Sequence, residues 1–282
     1  MKILVFGKTG QVATELQRQS AVQALDRNEV DLSDPAACAA IIRDCDADVV
    51  INAAAYTAVD NAERDEDIAT IINGHAPTAM ARAARDRNLP FLHISTDYVF
   101  NGQGEKPWRP RDPVSPQNAY GRSKLVGEQG VILAGGRFAI LRTSWVFSAH
   151  GANFVKTMLR LSETRDDLSV VDDQIGGPTS AADIANALLK MAVAMVNGQD
   201  GGVFHFAGVP SVSWKEFAVE IFSQSGRAVN VRGIPTADYP TPAVRPLNSR
   251  MDCSDLEKVF GIRAPDWKTS LSAVLDDLKA AS

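Results

Sequence analysis

Tyr120 and Lys124 stand four residues apart in a stretch that reads as helix, so both side chains lie on one face. A free tyrosine titrates near pH ~10, too high to exchange protons readily at neutral pH. A neighbouring ammonium stabilises the phenolate and is expected to lower that value. A phenol tuned in this way can protonate the alkoxide that forms as a hydride reaches a carbonyl. Thr96 ends an apolar run about 24 residues upstream of the tyrosine, placed to hydrogen-bond the same oxygen. Lys124 is also expected to hold the ribose hydroxyls of a nicotinamide cofactor. A Tyr-x-x-x-Lys pair alone also suits a solvated helix; its weight here comes from what surrounds it.

The elements that must position these groups alternate between short apolar runs and helical stretches. Lys2 to Phe6 reads as a buried parallel strand, followed by the turn Gly7 to Ala13 and a helix from Thr14 to Gln19. Gly7 permits the tight turn, Gly10 lets backbone approach a pyrophosphate, and Ala13 allows close helix–strand packing. The helix N-terminus offers free N–H groups to phosphate oxygens. Asp26, at the end of a second strand, is placed to grip the adenosine ribose and favours NADH; Arg27 beside it suits the 2′-phosphate of NADPH, so both cofactors stay open. Asp31 and Leu32 are placed for adenine, although Asp31 suits a helix approach equally well. Asp48 to Asn52 is a third strand leading into the alanines 53–55, where backbone can lie against a flat ligand. A helix framed by Asn73 and Pro77 runs to about Arg87. Pro90 to Ser95 is a fourth strand delivering Thr96, and Ser115-Pro116 opens the helix that carries Tyr120. Arg137 to Arg142 is a fifth strand, Leu168 to Val171 a short strand, Thr179 to Val196 a long helix and Val203 to Phe206 a further strand. After Pro210 the rhythm loosens towards a smaller lobe. The expected fold is α/β, a Rossmann-type doubly wound parallel sheet with a smaller C-terminal α/β substrate-binding lobe. Residues 1–145 and roughly 165–207 would form the dinucleotide-binding core, and roughly 146–164 and 208–282 the lobe.

Composition narrows the partners. Both charge signs are interspersed at a net charge of −5, which gives no basic footprint for nucleic acid. No apolar run approaches a signal peptide core or a membrane span, so no membrane partner is expected. The three cysteines, Cys38, Cys45 and Cys253, form no CxxC pair and read as reduced thiols of a cytoplasmic protein. The four histidines are scattered rather than clustered as metal ligands.

The glycine turn with Tyr-x-x-x-Lys resembles the extended short-chain dehydrogenase/reductases. More specific strings, in order along nearly the whole chain, resemble the dTDP-4-dehydrorhamnose reductase family: Phe6 to Gln11, Asn52 to Asp60, Ser95 to Phe100, Arg142 to Val146, Asp173 to Thr179 and Arg245 to Arg250. The resemblance implies reduction of the C4 keto group of a dTDP-linked sugar, with NADPH or NADH, in the last step of dTDP-L-rhamnose synthesis. It implies Thr96, Tyr120 and Lys124 as catalytic residues. It implies Gly7, Gly10, Gln11, Val12, Asp26, Asp31, Leu32, Ala55, Tyr56 and Thr57 at the cofactor, with Tyr120 and Lys124. It implies Thr96, Asp97, Trp145, Arg245, Asn248 and Arg250 at the sugar nucleotide. Ala13 departs from the family's more usual glycine without removing a donor. Some members need Mg2+ and pair as homodimers through acidic residues. Asp276 and Asp277 are the acidic candidates near the C-terminus, but they suit a solvated last helix better, and no metal ligand is assigned. Reduction of another nucleotide-linked keto-sugar, or a non-catalytic NADP-binding regulatory subunit, stays open. A dehydratase fits less well, because Tyr98 stands where those enzymes carry a glutamate. The proline-rich insert from Asn101 to Pro116 is expected as a surface loop lying over the sugar pocket.

Overall fold

The computed structural model describes residues 1–280; the last two residues of the expected lobe lie outside the described residues. Its centre is a parallel six-stranded sheet of β1 (Ile3–Phe6), β2 (Gln23–Leu25), β3 (Val49–Asn52), β4 (Phe91–Thr96), β5 (Phe138–Thr143) and β6 (Gly202–His205), in the order β2-β1-β3-β4-β5-β6. Successive side chains of a strand point to opposite faces. Ile3 and Val5 therefore join one apolar cluster with α1 (Gln11–Gln19) and α6 (Ala181–Val196). Leu4 and Phe6 join another with α2 (Pro35–Asp44), α3 (Ala76–Asp86) and α4 (Ala119–Ala134). Burial on both faces is why these strands read as continuous apolar runs instead of alternating ones. The chain winds outward from β1 in two directions, to β2 on one side and to β3 through β6 on the other. That reversal opens a crevice at the strands' carboxyl ends between β1 and β3, where such sheets take their ligands.

The helix expected from Asn73 begins earlier. A short helix at Glu66–Thr70 runs through a π-turn at Ile71–His75 into α3. No residue spacing announces an i to i+5 turn, so periodicity missed it. Likewise α4 starts at Ala119, not at Ser115, because the Asn118 side chain accepts from the Gly121 N–H at 2.7 Å and caps the helix there.

The lobe gathers α5 (Phe154–Leu161), α7 (Trp214–Ser225) and α8 (Trp267–Ala280) around Phe147, Phe217 and Trp267. The strand Asp167–Val171 pairs in parallel with Asn230–Ile234, and its Leu168 and Val170 belong to this same cluster. It thus lies in the lobe, although its place in the sequence suggested the core: pairing between segments some sixty residues apart leaves no local signature. Ile175–Gly176 pairs with Val212–Ser213 and with Asn248–Ser249, bringing the C-terminal motif back to the site.

The insert after Phe100 is packed down instead of lying free. The Trp108 ring stacks on Phe100 with centroids 4.6 Å apart. Its Nε1–H donates to the Asn248 carbonyl at 3.1 Å. Beneath it, Arg142 of β5 and Glu128 of α4, 4% and 1% exposed, form a bidentate pair at 2.8 and 2.6 Å. The third guanidinium nitrogen donates to the Pro110 carbonyl at 3.1 Å, and the guanidinium lies 5.0 Å from the centre of the Phe100 ring. This buried pair ties strand, helix and insert together. Breaking one side of such a pair leaves an uncompensated buried charge. Glu128→Gln should therefore destabilise the protein by roughly 3 kcal/mol. Urea unfolding checks this, and an unchanged midpoint would show that the pair does not hold the insert.

Candidate active site

Thr96 closes β4 and is 5% exposed. Its Oγ1 accepts from the Tyr98 N–H at 3.2 Å, capping a short 3-10 turn, and donates to Asp97 Oδ1 at 3.1 Å. Tyr120 sits in the first turn of α4. Its ring meets Tyr98 edge to face at 5.5 Å, and the Thr96 side chain is near enough to favour its phenolate. The structure brings Thr96 and Tyr120 to one sheet edge. It does not lower the phenol: burial pushes Tyr120 up to about 12, and Thr96 offsets only part of this. Lys124 is on the same helix face but its nitrogen turns to β4, donating to the Ile94 carbonyl at 2.7 Å and lying 3.2 Å from His93 Nε2. Burial, opposed by Glu128, pushes the lysine down to about 8. The lysine nitrogen is thus held by a backbone carbonyl and an imidazole.

Asp97 is 2% exposed and accepts from Ser249 Oγ at 2.5 Å on its second oxygen. Burial pushes its carboxyl up to about 6, against the hydrogen bonds from Ser249 and Thr96. No local pattern signals that Ser249, 152 residues away, pairs with it.

The crevice fits a dinucleotide. Gly7 adopts φ +108° and its α-carbon faces Ala53, where an added Cβ would lie 3.3 Å from the carbonyl carbon. Gly10 is the N-cap of α1, and no side chain caps its first turn, which leaves the helix amides at Gln11 and Val12 to face an anion. Such a group would lie along Gly7, Gly10 and the backbone at 53–57. Asn73, at the π-turn, accepts from the Tyr56 N–H at 2.8 Å and donates to its carbonyl at 2.9 Å, fixing the segment after β3 that carries Ala55, Tyr56 and Thr57. Ser148 and Asn153 both donate to Gln11 Oε1, at 2.8 and 3.1 Å, tying the glycine turn to the lobe. These anchors were missed; an asparagine or serine between elements carries no spacing signal.

Asp26 is less free than expected. Its Oδ1 accepts from the Asn28 and Glu29 N–H groups, and its Oδ2 pairs with Lys8 Nζ at 3.4 Å. Asp31 caps Ser33 through Oδ1 and lies 3.6 Å from Arg27, while Leu32 packs against the apolar cluster under β1. Hydrogen bonds to backbone hold both carboxyls below the usual range.

On the sugar side, Trp145 takes φ +50° just after β5 and stacks on Trp214, centroids 3.6 Å apart and planes 10° apart. Gly176 lies against it, leaving no room for a Cβ. Arg245 donates through Nη2 to Asp60 at 2.7 Å, while its buried Nη1 has no hydrogen-bond partner among the described residues. Asn248 is 1% exposed and its amide nitrogen donates to the Gln103 and Lys106 carbonyls, so it anchors the insert instead of projecting towards a substrate. Arg250 is turned to Asn248 Oδ1 at 3.1 Å. Among the described residues no three His, Cys, Asp or Glu side chains come together to hold a metal. Asp277 pairs with Arg18 and Asp276 with Lys279. No helix of the described residues is long and apolar enough to cross a membrane.

A dinucleotide turn at the switch point of a doubly wound sheet, facing a strand-end threonine and a helical Tyr-x-x-x-Lys, defines a reductase of the extended short-chain type. The family model described as the RmlD substrate binding domain matches residues 1–280. The dTDP-4-dehydrorhamnose reductase of Sinorhizobium fredii is 44% identical over 281 residues, covering 96% of this chain and 95% of the relative. The crystal structure of the Clostridium acetobutylicum dTDP-4-dehydrorhamnose reductase superposes with a TM-score of 0.92 at 39% identity, over 99% of this chain and all of that one. That of the Bacillus anthracis enzyme, in complex with NADP, gives 0.91 at 32% identity over 98% of this chain and 99% of that one. The chain belongs to the dTDP-4-dehydrorhamnose reductase family.

The raised carboxyl of Asp97 has a consequence for stability. Its folded pKa, about 6, lies above the ordinary 3.8, so protonation favours the folded state. The contribution is full below about pH 4 and is lost as pH rises through 6, on the order of 3 kcal/mol in all. Asp97→Asn, uncharged at every pH, should melt higher than the wild type at pH 8 and lose that advantage near pH 4. Parallel melting curves at any pH would refute the burial account.

Proposed function

We propose that the chain reduces the C4 keto group of dTDP-4-dehydro-β-L-rhamnose to dTDP-β-L-rhamnose, the final step of dTDP-L-rhamnose synthesis, using NADPH. The observation that carries this reading is Thr96 at the end of β4 beside Tyr120 in the first turn of α4, on the same sheet edge as the Gly7–Ala53 crevice. The bound nicotinamide supplies the hydride. Tyr120, held as a phenol throughout the neutral range, donates its proton to the carbonyl oxygen as that oxygen gains charge. Thr96 hydrogen-bonds the same oxygen and keeps it aligned with the phenol. A raised phenol suits this direction, since the enzyme must give a proton. Lys124 then serves the cofactor's ribose and not the phenol's acidity. Trp145 and Trp214 wall the sugar pocket. The unpartnered Nη1 of Arg245 is a buried donor suited to a pyrophosphate oxygen of the dTDP moiety. Asn248 and Arg250 act on the sugar nucleotide only through the insert they hold.

NADPH is favoured over NADH because Asp26 is already engaged by backbone and by Lys8, while the 82%-exposed side chain of Arg27 is placed to meet a 2′-phosphate. The NADP complex of the Bacillus anthracis relative supports this choice.

Tyr120→Phe should lower kcat for the dTDP keto-sugar by roughly 10²- to 10⁴-fold, the usual worth of a positioned acid, while NADPH binding measured by fluorescence stays near wild type. Full turnover by that variant would sink the mechanism. Wild-type kcat/KM should be larger with NADPH than with NADH, and Arg27→Ala should narrow the gap by about tenfold, a lost phosphate contact of roughly 1.4 kcal/mol. Equal use of both cofactors by the wild type would return the preference to Asp26.

A further inference from the structure

Asp60 stands in the short helix Val59–Ala62, just past the backbone at 53–57 that would line the cofactor. Its two carboxylate oxygens reach a returning segment of the C-terminal part of the chain. Oδ1 accepts from the Ala243 N–H at 3.1 Å, and Oδ2 accepts from Arg245 Nη2 at 2.7 Å. One side chain thus fixes both the backbone just before Arg245 and its guanidinium. Two further bonds tie this segment and the short helix to α4, which carries Tyr120. Asn118 Nδ2 donates to the Val244 carbonyl at 2.8 Å, and Glu63 Oε1 accepts from the Ala119 N–H at 2.8 Å. Arg245 is therefore held in register with the start of that helix. With Nη2 committed to Asp60, the buried Nη1 is a donor with no hydrogen-bond partner among the described residues. Burial pushes the Tyr98 phenol up and the nearby charge of Arg245 opposes this, so the guanidinium lies close to the residue whose ring meets Tyr120.

We propose that Asp60 is a positioning residue for Arg245: it locks the guanidinium through Nη2 and so keeps Nη1 in place for a pyrophosphate oxygen of the nucleotide sugar, a role that rests on the reading of Arg245 as the pyrophosphate donor. Folding stability does not account for the pair. The Asp60 and Arg245 side chains are 39% and 21% exposed, and ion pairs this open to water add little to stability. Orientation does account for it. A long arginine side chain loses rotamer freedom when it is immobilised, and ordering it before the ligand arrives removes that cost from binding. A buried donor without a partner is itself unfavourable, and a phosphate oxygen supplies the missing acceptor in a charge-assisted bond. The carboxylate by itself would repel a pyrophosphate. With its oxygens engaged by Ala243 and Arg245, it acts on the ligand through the arginine.

Asp60→Asn separates the two bonds. Its amide oxygen still accepts from Ala243, whereas its NH2 group meets Arg245 Nη2 donor to donor. The test is calorimetric binding of dTDP and of thymidine to the full-length protein. Asp60→Asn should bind dTDP about tenfold more weakly, the worth of one charge-assisted hydrogen bond. Thymidine, which has no pyrophosphate, should bind as it does to the wild type. KM for the dTDP keto-sugar should rise by a similar factor while kcat stays within about twofold. Arg245→Gln should show the same split between dTDP and thymidine, and adding Asp60→Asn to it should weaken dTDP no further. Wild-type dTDP affinity in Asp60→Asn, with Arg245→Gln weakened, overturns the role of Asp60 and leaves Arg245 as the pyrophosphate donor. Wild-type dTDP affinity in Arg245→Gln removes the arginine reading and the role of Asp60 with it. Loss of thymidine along with dTDP in Asp60→Asn marks a general structural part and overturns the positioning role. The binding arms do not depend on which sugar is reduced, so a failure of the reduction itself shows only in turnover.

Discussion

The first turn of α4 passes directly against the end of β4. An added Cβ on Gly121 would lie 2.3 Å from the Tyr98 carbonyl oxygen, so only glycine lets helix and turn approach this closely. The Asn118 cap fixes where the helix begins, and the Gly121 contact fixes how near it comes. Together they set Tyr120 on Thr96 and carry Lys124 under β4 to His93. The insert, the buried Arg142–Glu128 pair and the returning strand at Asn248–Ser249 all brace this junction from outside.

Burial is the common cause of the site's electrostatics. Tyr120 and Asp97 are pushed up, Lys124 and His93 down, each towards its uncharged form. Such a site starts its reaction with few fixed charges to reorganise and with hydrogen-bond donors already aimed. The unpartnered donor on Arg245 is an exception, and it lies on the substrate side.

Much of this was legible in the sequence. The strand runs, the glycine turn and the Tyr120–Lys124 spacing are local patterns, and they placed the sheet and the helix that carries the acid. The hydrogen bonds that Asp26 and Asn248 already make were not legible, because a residue type at the right place does not reveal which backbone groups it meets. The phenol's direction was misread for a related reason: spacing puts Lys124 on Tyr120's face, but only the packing shows its nitrogen turned to Ile94 and His93. Asn52, Asn73, Ser148 and Ser249 were invisible, since each matters through a partner distant in sequence. The lobe strand at Asp167–Val171 is the same lesson at the level of topology.

The central claim is that this sheet edge delivers hydride and proton to one carbonyl. Incubating the enzyme with NADPH deuterated at the nicotinamide C4, together with dTDP-4-dehydro-β-L-rhamnose, and locating the label by NMR tests it most directly. The account predicts one deuterium at C4 of the product rhamnose. Cofactor oxidation without label at C4, or no oxidation at all, would contradict it.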